Sequence, residues 1–315
     1  MGRLSVAAVV VLLAAAVGLG GCVTLLAGSD DSGGAAATGG GAGATAAGGG
    51  GPAVPADWEA LDQAAAATCS GLPWGILAAI GRVESDSGRS TLPGVHEGTN
   101  PAGAEGPMQF EPATFAAYAT VGPGGVDPAS PYDPVDAVYT AARMLCADGG
   151  GTPAQLATAV WDYDHAATYV ETVLVLAHAL EADPTLPSVP ALALAFTARQ
   201  LGVPYLWGGT GDGGFDCSGL VQAAYRAAGV NLARVAQTQF DAGPPVVGAV
   251  IPGDLVFFGG SAADVSHVGI AIGDGEMIDA PYTGTVVRID QVPATPGAPF
   301  GSETYVGATR PWQQG

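Results

Sequence analysis

The sequence predicts two folded domains in succession, an all-α domain followed by an α+β domain. The chain has 315 residues, which is enough for two domains. Residues 57–183 carry apolar positions at helical spacing, with proline at several helix starts. After a proline-containing linker at 184–190, residues 191–315 show two helical patterns and then alternating apolar runs, an order that indicates α+β.

The N-terminal segment, residues 1–28, predicts export. Arg3 is its only charged residue, and the apolar stretch behind it is long enough to cross a bilayer. If Arg3 stays in the cytoplasm, the rest of the chain lies outside. Three interpretations stay open: an uncleaved membrane anchor, a lipoprotein signal in which Cys22 is lipidated, and a cleaved signal peptide.

Composition limits the partners of the chain. Residues 29–56 are rich in glycine and alanine with little to bury, so we expect a disordered, flexible linker. The nine basic residues are all arginine, and the formal net charge is -20. Nucleic acid requires basic patches and is therefore not expected as a partner. The histidines and cysteines do not form a ligand cluster, so the sequence implies no metal and no other cofactor.

The helices of the first domain are predicted from their boundaries. Pro73 opens PWGILAAIGRVES, Pro112 opens PATFAAYA, and Pro134 opens PVDAVYTAARMLCADGG, which ends in glycines. Two further helical patterns, AQLATAVWDYD and AATYVETVLVLAHALEAD, complete the domain. Glu84 follows the apolar face of the first of these helices and is expected at its end.

The cysteines predict one disulfide and one free thiol. Disulfides persist outside the cytoplasm. Cys69 and Cys146 both fall in the first domain and are the natural pair, which leaves Cys217 unpaired. The alternative is a structural Cys217 bonded to Cys69 or Cys146.

Cys217 stands in the stretch GGFDCSGLVQ, at the start of an apolar helical pattern. Asp216 is a good helix-capping residue, which places Cys217 in the first turn. The free N–H groups and the dipole of a helix N-terminus favour a negative charge, and the thiolate is the nucleophilic form of cysteine. Cys217 is therefore a candidate catalytic nucleophile.

A catalytic thiol requires a base and a group that orients the base. His267 is the only histidine of the second domain; it begins the alternating run SHVGIAIG, and the return strand EMIDAP carries Asp279. A three-residue loop at 273–275 sets Ile272 opposite Glu276 and places Asp279 on the same face as His267. A two-residue loop would place Asp279 on the other face, so a catalytic triad requires an odd-length loop or a bulge.

The second domain resembles the NlpC-type cell-wall cysteine peptidases. The resemblance covers roughly 195–312 and rests on PYLWGGTGDGGFDCSGLVQAAYRAAG, PGDLVFF, SHVGIAIGDGEMIDAP and VGATRP, in that order. It implies a reduced papain-like fold that cleaves peptidoglycan stem peptides, often between D-glutamate and the diamino acid. The family's third polar residue is most often histidine, whereas this chain has Asp279 there.

The same resemblance implies roles for several residues. Cys217 would be the nucleophile and His267 the base, with Asp279 able to orient the imidazole. Tyr205 would help to shape the site and the oxyanion region. The residues implied to contact a free amine or the peptide are Asp216, Ser218 and Ser266.

The first domain is similar to the soluble lytic transglycosylase and goose-type lysozyme superfamily. The similarity covers about 57–182 and rests on GILAAIGRVESDSGRS, GVHEGTNPAGAEGPMQFEPATF and AVWDYDHAATYVETVL. It implies Glu84 as general acid and base, with Gln109 and Tyr163 lining a sugar cleft and Tyr163 near Glu84. A hydrolytic muramidase usually has a second carboxylate to place water. The candidates are Asp86, Glu97, Asp162 and Asp164, the last standing where the family usually has asparagine.

Together these observations predict an exported bifunctional peptidoglycan hydrolase, anchored in the cell membrane and facing the cell wall, or secreted. Its expected partners are the glycan strands and stem peptides of peptidoglycan, with the cytoplasmic membrane contacted through the N-terminal segment. One alternative is a wall-binding or scaffolding protein with one inactive domain. Another is a dedicated wall-opening enzyme of a conjugation or secretion complex.

Overall fold

The first half of the described chain is helical, as predicted. The computed structural model describes residues 56–313, and residues 56 and 57 are described by their backbone alone. The helices of this half are α1 (Ala56–Ala66), α2 (Trp74–Ser85), α3 (Pro112–Tyr118), α4 (Pro134–Ala147), α5 (Leu156–Asp164) and α6 (Ala167–Ala182).

Local chemistry explains where these helices begin. Asp133 caps α4 by accepting the backbone N–H groups of Val135 and Asp136. Pro134 occupies the first helical position, where its missing N–H costs no intrahelical hydrogen bond. In α2, Pro73 is the N-cap residue and the helix begins at Trp74.

Helix α2 places Glu84 at the edge of the helical core. Ile76, Leu77 and Ile80 are almost completely buried, and this face packs against α6. The helix ends at Ser85, and Asp86 caps it in the left-handed conformation with φ 52. Glu84 therefore lies half-buried in the last turn of α2, in contact with Tyr169 of α6.

The predicted disulfide is confirmed. Cys69 and Cys146 are bonded, which ties the connection between α1 and α2 to the last turn of α4. Cys217 is the free cysteine of the described residues.

The second half is α+β, also as predicted. It contains α7 (Ser188–Ala198), the short hairpin β1 (Thr210–Gly211) and β2 (Gly214–Phe215), α8 (Cys217–Ala227) and α9 (Ala236–Ala242). Six strands follow: β3 (Leu255–Ser261), β4 (Asp264–Gly273), β5 (Glu276–Asp279), β6 (Arg288–Gln291), β7 (Pro299–Phe300) and β8 (Glu303–Thr309). The sheet order is β6-β5-β4-β3-β8-β7, and every neighbouring pair is antiparallel. Helices α8 and α9 pack against β4.

The register between β4 and β5 differs from the expected one. Gly273 pairs with Glu276 across a two-residue turn of Asp274 and Gly275, and both turn residues have positive φ, as a tight hairpin of this kind requires. Ile272 is not opposite Glu276; it is the extra residue of a register shift between Ala271 and Gly273. A two-residue loop alone would place Asp279 on the opposite face of the sheet from His267. The extra residue of the bulge places both side chains on the same face.

The stretch predicted as a linker at 184–190 is part of the packed structure. Leu186 is fully buried, and α7 already begins at Ser188. Helix α7 packs against both α6 and α8, and one apolar core continues through the two halves. The two halves are therefore joined by buried side chains as well as by the chain.

The predicted membrane or signal segment at 1–28, with Cys22, lies outside the described residues, as does nearly all of the predicted linker at 29–56. Between residues 56 and 313, no helix has the length and apolar character that crossing a membrane would require.

Candidate active site

The site begins at the N-terminus of α8. Asp216 caps this helix, and its side chain accepts the backbone N–H of Gly219 at 2.7 Å. Cys217 is the first helical residue and is 9% exposed. A side chain at Gly219 would collide with the carbonyl oxygen of Gly209, which would lie 2.0 Å from the added Cβ. Glycine thus lets the hairpin of β1 and β2 approach the turn that carries the thiol.

Strand β4 brings the imidazole of His267 next to this helix end. His267 Nε2 lies 2.7 Å from Asp279 Oδ2, so the bulge at Ile272 does place both side chains on one face. Both residues are buried, His267 at 6% exposure and Asp279 at 0%. The thiol of Cys217 donates to the carbonyl oxygen of Ser266, one residue before the histidine, at 3.9 Å.

Electrostatics favours a protonated imidazole at His267. Burial lowers its pKa, but the hydrogen bond with Asp279 and the contact with the Cys217 thiol raise it more, and the resulting pKa is about 10. Since Nε2 faces Asp279, Nδ1 is the nitrogen left for the thiol. The aromatic rings of Phe258 and Phe300 pack around the imidazole and help to hold its plane.

An open cleft of about 1660 Å³ lies above these residues. Cys217 and His267 line it, whereas Asp279 is enclosed behind the histidine. The other sequence-predicted residues of this half also line it: Tyr205, Asp216, Ser218 and Ser266. The structure therefore brings together all seven residues that the sequence assigned to the peptidase site, six of them at the cleft surface.

Sequence reasoning missed two charged residues that contact the predicted residues at this cleft. Arg234 forms a two-point ion pair with Asp216, with Nη1 to Oδ1 at 3.0 Å and Nη2 to Oδ2 at 2.7 Å. Glu303, at the start of β8, accepts a hydrogen bond from the Ser266 hydroxyl. Neither residue lies in a motif with a recognisable spacing, and both come from segments that are remote from Cys217 in the chain.

Comparison with known protein families shows which kind of domain the second half of the chain contains. The model of the NlpC/P60 family matches residues 202–299. These residues form an NlpC/P60 domain. The resemblance drawn from its motifs is thereby confirmed, and the matched range contains the hairpin, α8, the sheet strands up to β6 and all seven residues of the cysteine site.

Relatives of the NlpC/P60 domain have been described in several bacteria. The probable endopeptidase Rv2190c of Mycobacterium tuberculosis is 45% identical over 91 residues, or 29% of this chain and 23% of the relative. The bifunctional muramidase/DL-endopeptidase CwlT of Bacillus subtilis is 45% identical over 87 residues, or 26% of each chain. The gamma-D-glutamyl-L-lysine dipeptidyl-peptidase of the same species is 42% identical over 93 residues, or 28% of this chain and 31% of the relative. The chain thus spans about a quarter to a third of these relatives.

The helical half, which precedes the NlpC/P60 domain, contains the half-buried carboxyl of Glu84. Tyr169 donates its hydroxyl to Glu84 Oε1 at 2.7 Å. Burial raises the pKa of Glu84 more than this hydrogen bond lowers it, the nearby charge of Asp164 raises it further, and the pKa is about 7. Sequence reasoning missed Tyr169, because a tyrosine on an apolar helix more often packs in the core.

Tyr163 lies close to Glu84 without being its hydrogen-bond partner. Its ring stacks on that of Tyr169 at 6.3 Å between centroids, and its hydroxyl donates to the carbonyl oxygen of Met108 at 2.8 Å. Gln109 is held within its own loop, since its amide donates to Gly106 and accepts from Asn100. The sugar-binding roles of Tyr163 and Gln109 stay predictions.

The carboxylates considered for placing water fall in different surroundings. Asp164 is the one whose charge acts on Glu84. Asp86 is paired with Arg82 and Arg89, and the charge of Asp162 acts on Asp148. Nothing in the described structure links Glu97 to Glu84. Across residues 56–313, the acidic, histidine and cysteine side chains form no group of the kind that holds a metal ion.

Proposed function

We propose that the chain is a cysteine endopeptidase that cleaves the stem peptides of peptidoglycan. The single observation that carries this proposal is the cluster of Cys217, His267 and Asp279 at the floor of an open cleft, within an NlpC/P60 domain. The names of its relatives, endopeptidase and DL-endopeptidase, support the reaction class. We assign the bond between D-glutamate and the diamino acid, which the name of the Bacillus subtilis dipeptidyl-peptidase supports.

In the proposed reaction, each step of acyl transfer is assigned to a residue of this site. The Cys217 thiolate attacks the scissile carbonyl, and the imidazolium of His267 gives its proton to the leaving amine. Water then attacks the thioester, with the now neutral His267 accepting its proton, and the carboxyl product leaves as the thiolate is restored. Asp279 keeps the imidazole in place and stabilises its charged form. We assign stabilisation of the oxyanion to the free N–H groups at the start of α8 and to Tyr205, which lines the same cleft.

Digestion of purified peptidoglycan by the 315-residue chain tests this proposal. We expect mass spectrometry to show stem peptides cut on the carboxyl side of D-glutamate, with new amino groups on the diamino acid. Products cut only at other peptide bonds would refute the bond assignment. A complete absence of peptide products, with the glycan also intact, would favour a wall-binding protein.

The Asp279→Asn variant tests the charge of the imidazole. Asparagine cannot stabilise the imidazolium, so the pKa of His267 should fall from about 10, and kcat/KM should fall at least about tenfold at neutral pH. The alkaline limb of the pH profile should move to lower pH by about one unit or more. Asp290→Asn is the matched control, because Asp290 lies on the next strand and pairs with Arg288. An unchanged alkaline limb in Asp279→Asn would contradict the assignment.

The same pKa predicts how stability changes with pH. A histidine whose pKa is raised in the folded protein stabilises it below the unfolded pKa of about 6.5. This contribution is lost as pH rises through about 10. Wild type should therefore exceed Asp279→Asn in free energy of unfolding by a margin that shrinks between these two pH values.

We further propose that the helical half cleaves glycan strands with Glu84. The observation that favours this second activity is a half-buried carboxyl with a pKa of about 7, held by Tyr169. Such an acid is protonated often enough near neutral pH to donate to a leaving oxygen. CwlT combines a muramidase and an endopeptidase by name, which supports a pairing of the two activities.

We also propose that the chain acts outside the cytoplasm, anchored in the membrane or secreted. The disulfide of Cys69 and Cys146 supports this location, because such bonds persist in oxidising compartments. A peptidoglycan substrate requires the same location.

A further inference from the structure

The turn between β7 and β8 places Glu303 on the same face of the sheet as the imidazole of His267. Phe300 and Glu303 are paired residues on either side of this two-residue turn, so their side chains project to one face. The ring of Phe300 lies parallel to the imidazole, at 6.3 Å between centroids. Phe300 and Glu303 both lie just past residues 202–299, the range that the family model matches.

A second bulge in β4 brings Ser266 into contact with this carboxylate. The pairing of β4 with β3 shifts between Val265 and His267, which makes Ser266 an extra residue of the strand. A bulge changes the direction of a side chain at the edge of a site. The hydroxyl of Ser266 donates to Glu303, while its carbonyl oxygen accepts the thiol of Cys217 at 3.9 Å. The carbonyl and hydroxyl oxygens of one serine are at most about 5 Å apart, so Glu303 lies close to the nucleophile.

Glu303 is the carboxylate of the cleft that has no ion pair among the described residues. Asp216 and Asp290, the other carboxylates that line the cleft, each pair with an arginine. Between residues 56 and 313, Glu303 has only the uncharged hydroxyl of Ser266 as its hydrogen-bond partner. A carboxylate has two oxygens with about four acceptor positions, so this half-buried group has room for a cation from a ligand.

The leaving group of the proposed reaction lies on the His267 side of the cleft. The imidazolium gives its proton to the leaving amine, which must therefore lie within hydrogen-bond reach of His267. That amine belongs to a diamino acid, whose second amine is six single bonds away, about 7 Å when extended. Because Glu303 lies on the same face as the imidazole, the side chain of a diamino acid that leaves from His267 can extend toward it.

We propose that Glu303, held by Ser266, binds the distal ammonium group of the diamino acid on the leaving-group side of the scissile bond. This inference rests on the proposed function. An ammonium group has three N–H donors, and its hydrogen bonds to a carboxylate are charge-assisted. A distal amine that is acylated, as at a peptide cross-link, carries no charge. Glu303 thereby makes the enzyme specific for stem peptides that are not cross-linked through this amine.

Asp290 is a weaker candidate for the same ammonium group. It lies on β6 and accepts Nε of Arg288 at 2.8 Å, so its charge is already compensated. In the sheet order, β5 separates β6 from β4, so Asp290 lies two strands away from the strand that carries His267.

Three peptides that differ only in their last residue test the proposal. Each contains L-alanine and γ-linked D-glutamate, followed by L-lysine, Nε-acetyl-L-lysine or L-norleucine. Norleucine lacks the distal amine and adds no bulk, so it separates the loss of charge from a steric clash of the acetyl group. Binding is measured by calorimetry with the Cys217→Ala chain, alone and combined with Glu303→Gln, Ser266→Ala or Asp290→Asn. We expect the lysine peptide to bind about ten- to thirtyfold more tightly than either of the others.

The ratio of the lysine affinity to the norleucine affinity decides the outcome. Glu303→Gln keeps the shape of the side chain and can still accept the Ser266 hydroxyl, so the fold should persist while the ratio falls close to one. Asp290→Asn, which also removes one negative charge from the cleft, should leave the ratio unchanged. Ser266→Ala should lower the ratio by about threefold, because Glu303 loses the hydrogen bond that holds it. If Glu303→Gln does not fold, the Ser266→Ala ratio decides.

Several results would overturn this assignment. A ratio near one in the Cys217→Ala chain, a ratio that survives Glu303→Gln, or a ratio that is lost in Asp290→Asn would each do so. Weak binding of the acetyl-lysine peptide alone, with equal binding of the other two, would show a steric limit in place of an ammonium site.

Hydrolysis of the same peptides by wild type is scored separately from binding. Selective binding of the lysine peptide without hydrolysis would keep the ammonium site and refute the proposed reaction. Hydrolysis of the lysine and norleucine peptides at equal rates, with equal binding, would keep the reaction and refute the ammonium site.

Discussion

Replacing Cys217 by alanine should lower the rate of stem-peptide cleavage by at least about a thousandfold, because no other group in the described cleft can form the thioester. The sulfur stands at the N-terminus of α8, with the His267 imidazolium and its Asp279 partner beside it. Serine at this position should be nearly as inactive, since an alcohol is far less acidic than a thiol and stays protonated at neutral pH.

The measurement for Cys217→Ala is release of peptides from purified peptidoglycan, read by mass spectrometry beside a fold check. Cys217 is small and close to the surface, so its loss should leave the melting temperature and the disulfide of Cys69 and Cys146 in place. The glycan cleavage that we propose for the helical half should persist in this variant. Residual peptide release within tenfold of wild type would mean that another residue is the nucleophile.

Replacing Glu84 by glutamine should lower glycan cleavage by about a hundredfold or more, the range expected for loss of a general acid. Glutamine keeps the shape of the side chain and can still accept the hydroxyl of Tyr169, so the local structure should persist. What it cannot do is donate a labile proton. Peptide release by Cys217 should be unchanged in the same digest.

The pH profile of glycan cleavage gives an independent measure of the same residue. Burial raises the pKa of Glu84 to about 7, so the proton needed for catalysis is present below that pH and is lost above it. Wild-type glycan cleavage should therefore decline as pH rises through about 7. The raised pKa also stabilises the fold below the unfolded value of about 4.3, and this contribution disappears by about pH 7 and above.

Glu171 offers a matched control for the Glu84 variant. It lies on α6, and burial raises its pKa to about 7 as well, but it makes no hydrogen bond of the kind that Tyr169 gives Glu84. Glu171→Gln should leave glycan cleavage intact. Equal losses in the two variants would show that buried acids support only the fold of the helical half. Anhydro-sugar ends in the wild-type products would decide for a transglycosylase over a hydrolytic muramidase.

The position of the nucleophile could be predicted from the sequence, because the causes are local. The capping preference of Asp216 and the apolar spacing after it place Cys217 in a first helical turn, and the structure has this arrangement. The disulfide followed from the location of two cysteines in one helical region. Proline positions and alternating apolar runs predicted the helices and the main strands for the same reason, since both depend on near neighbours in the chain.

What the sequence left open depends on contacts between distant segments. Asp279 lies on the same face of the sheet as His267 because strand β4 contains one extra residue, Ile272. The expected three-residue loop is wrong, since the turn has two residues. Tyr169 reaches Glu84 across 85 positions of the chain, and Arg234 neutralises Asp216 from a loop beyond α8. Local patterns determined where the reactive groups lie along helices and strands. Only tertiary packing decided their hydrogen-bond partners. The energy of a hydrogen bond depends on burial and on the distance between its partners, and neither is a property of a short sequence.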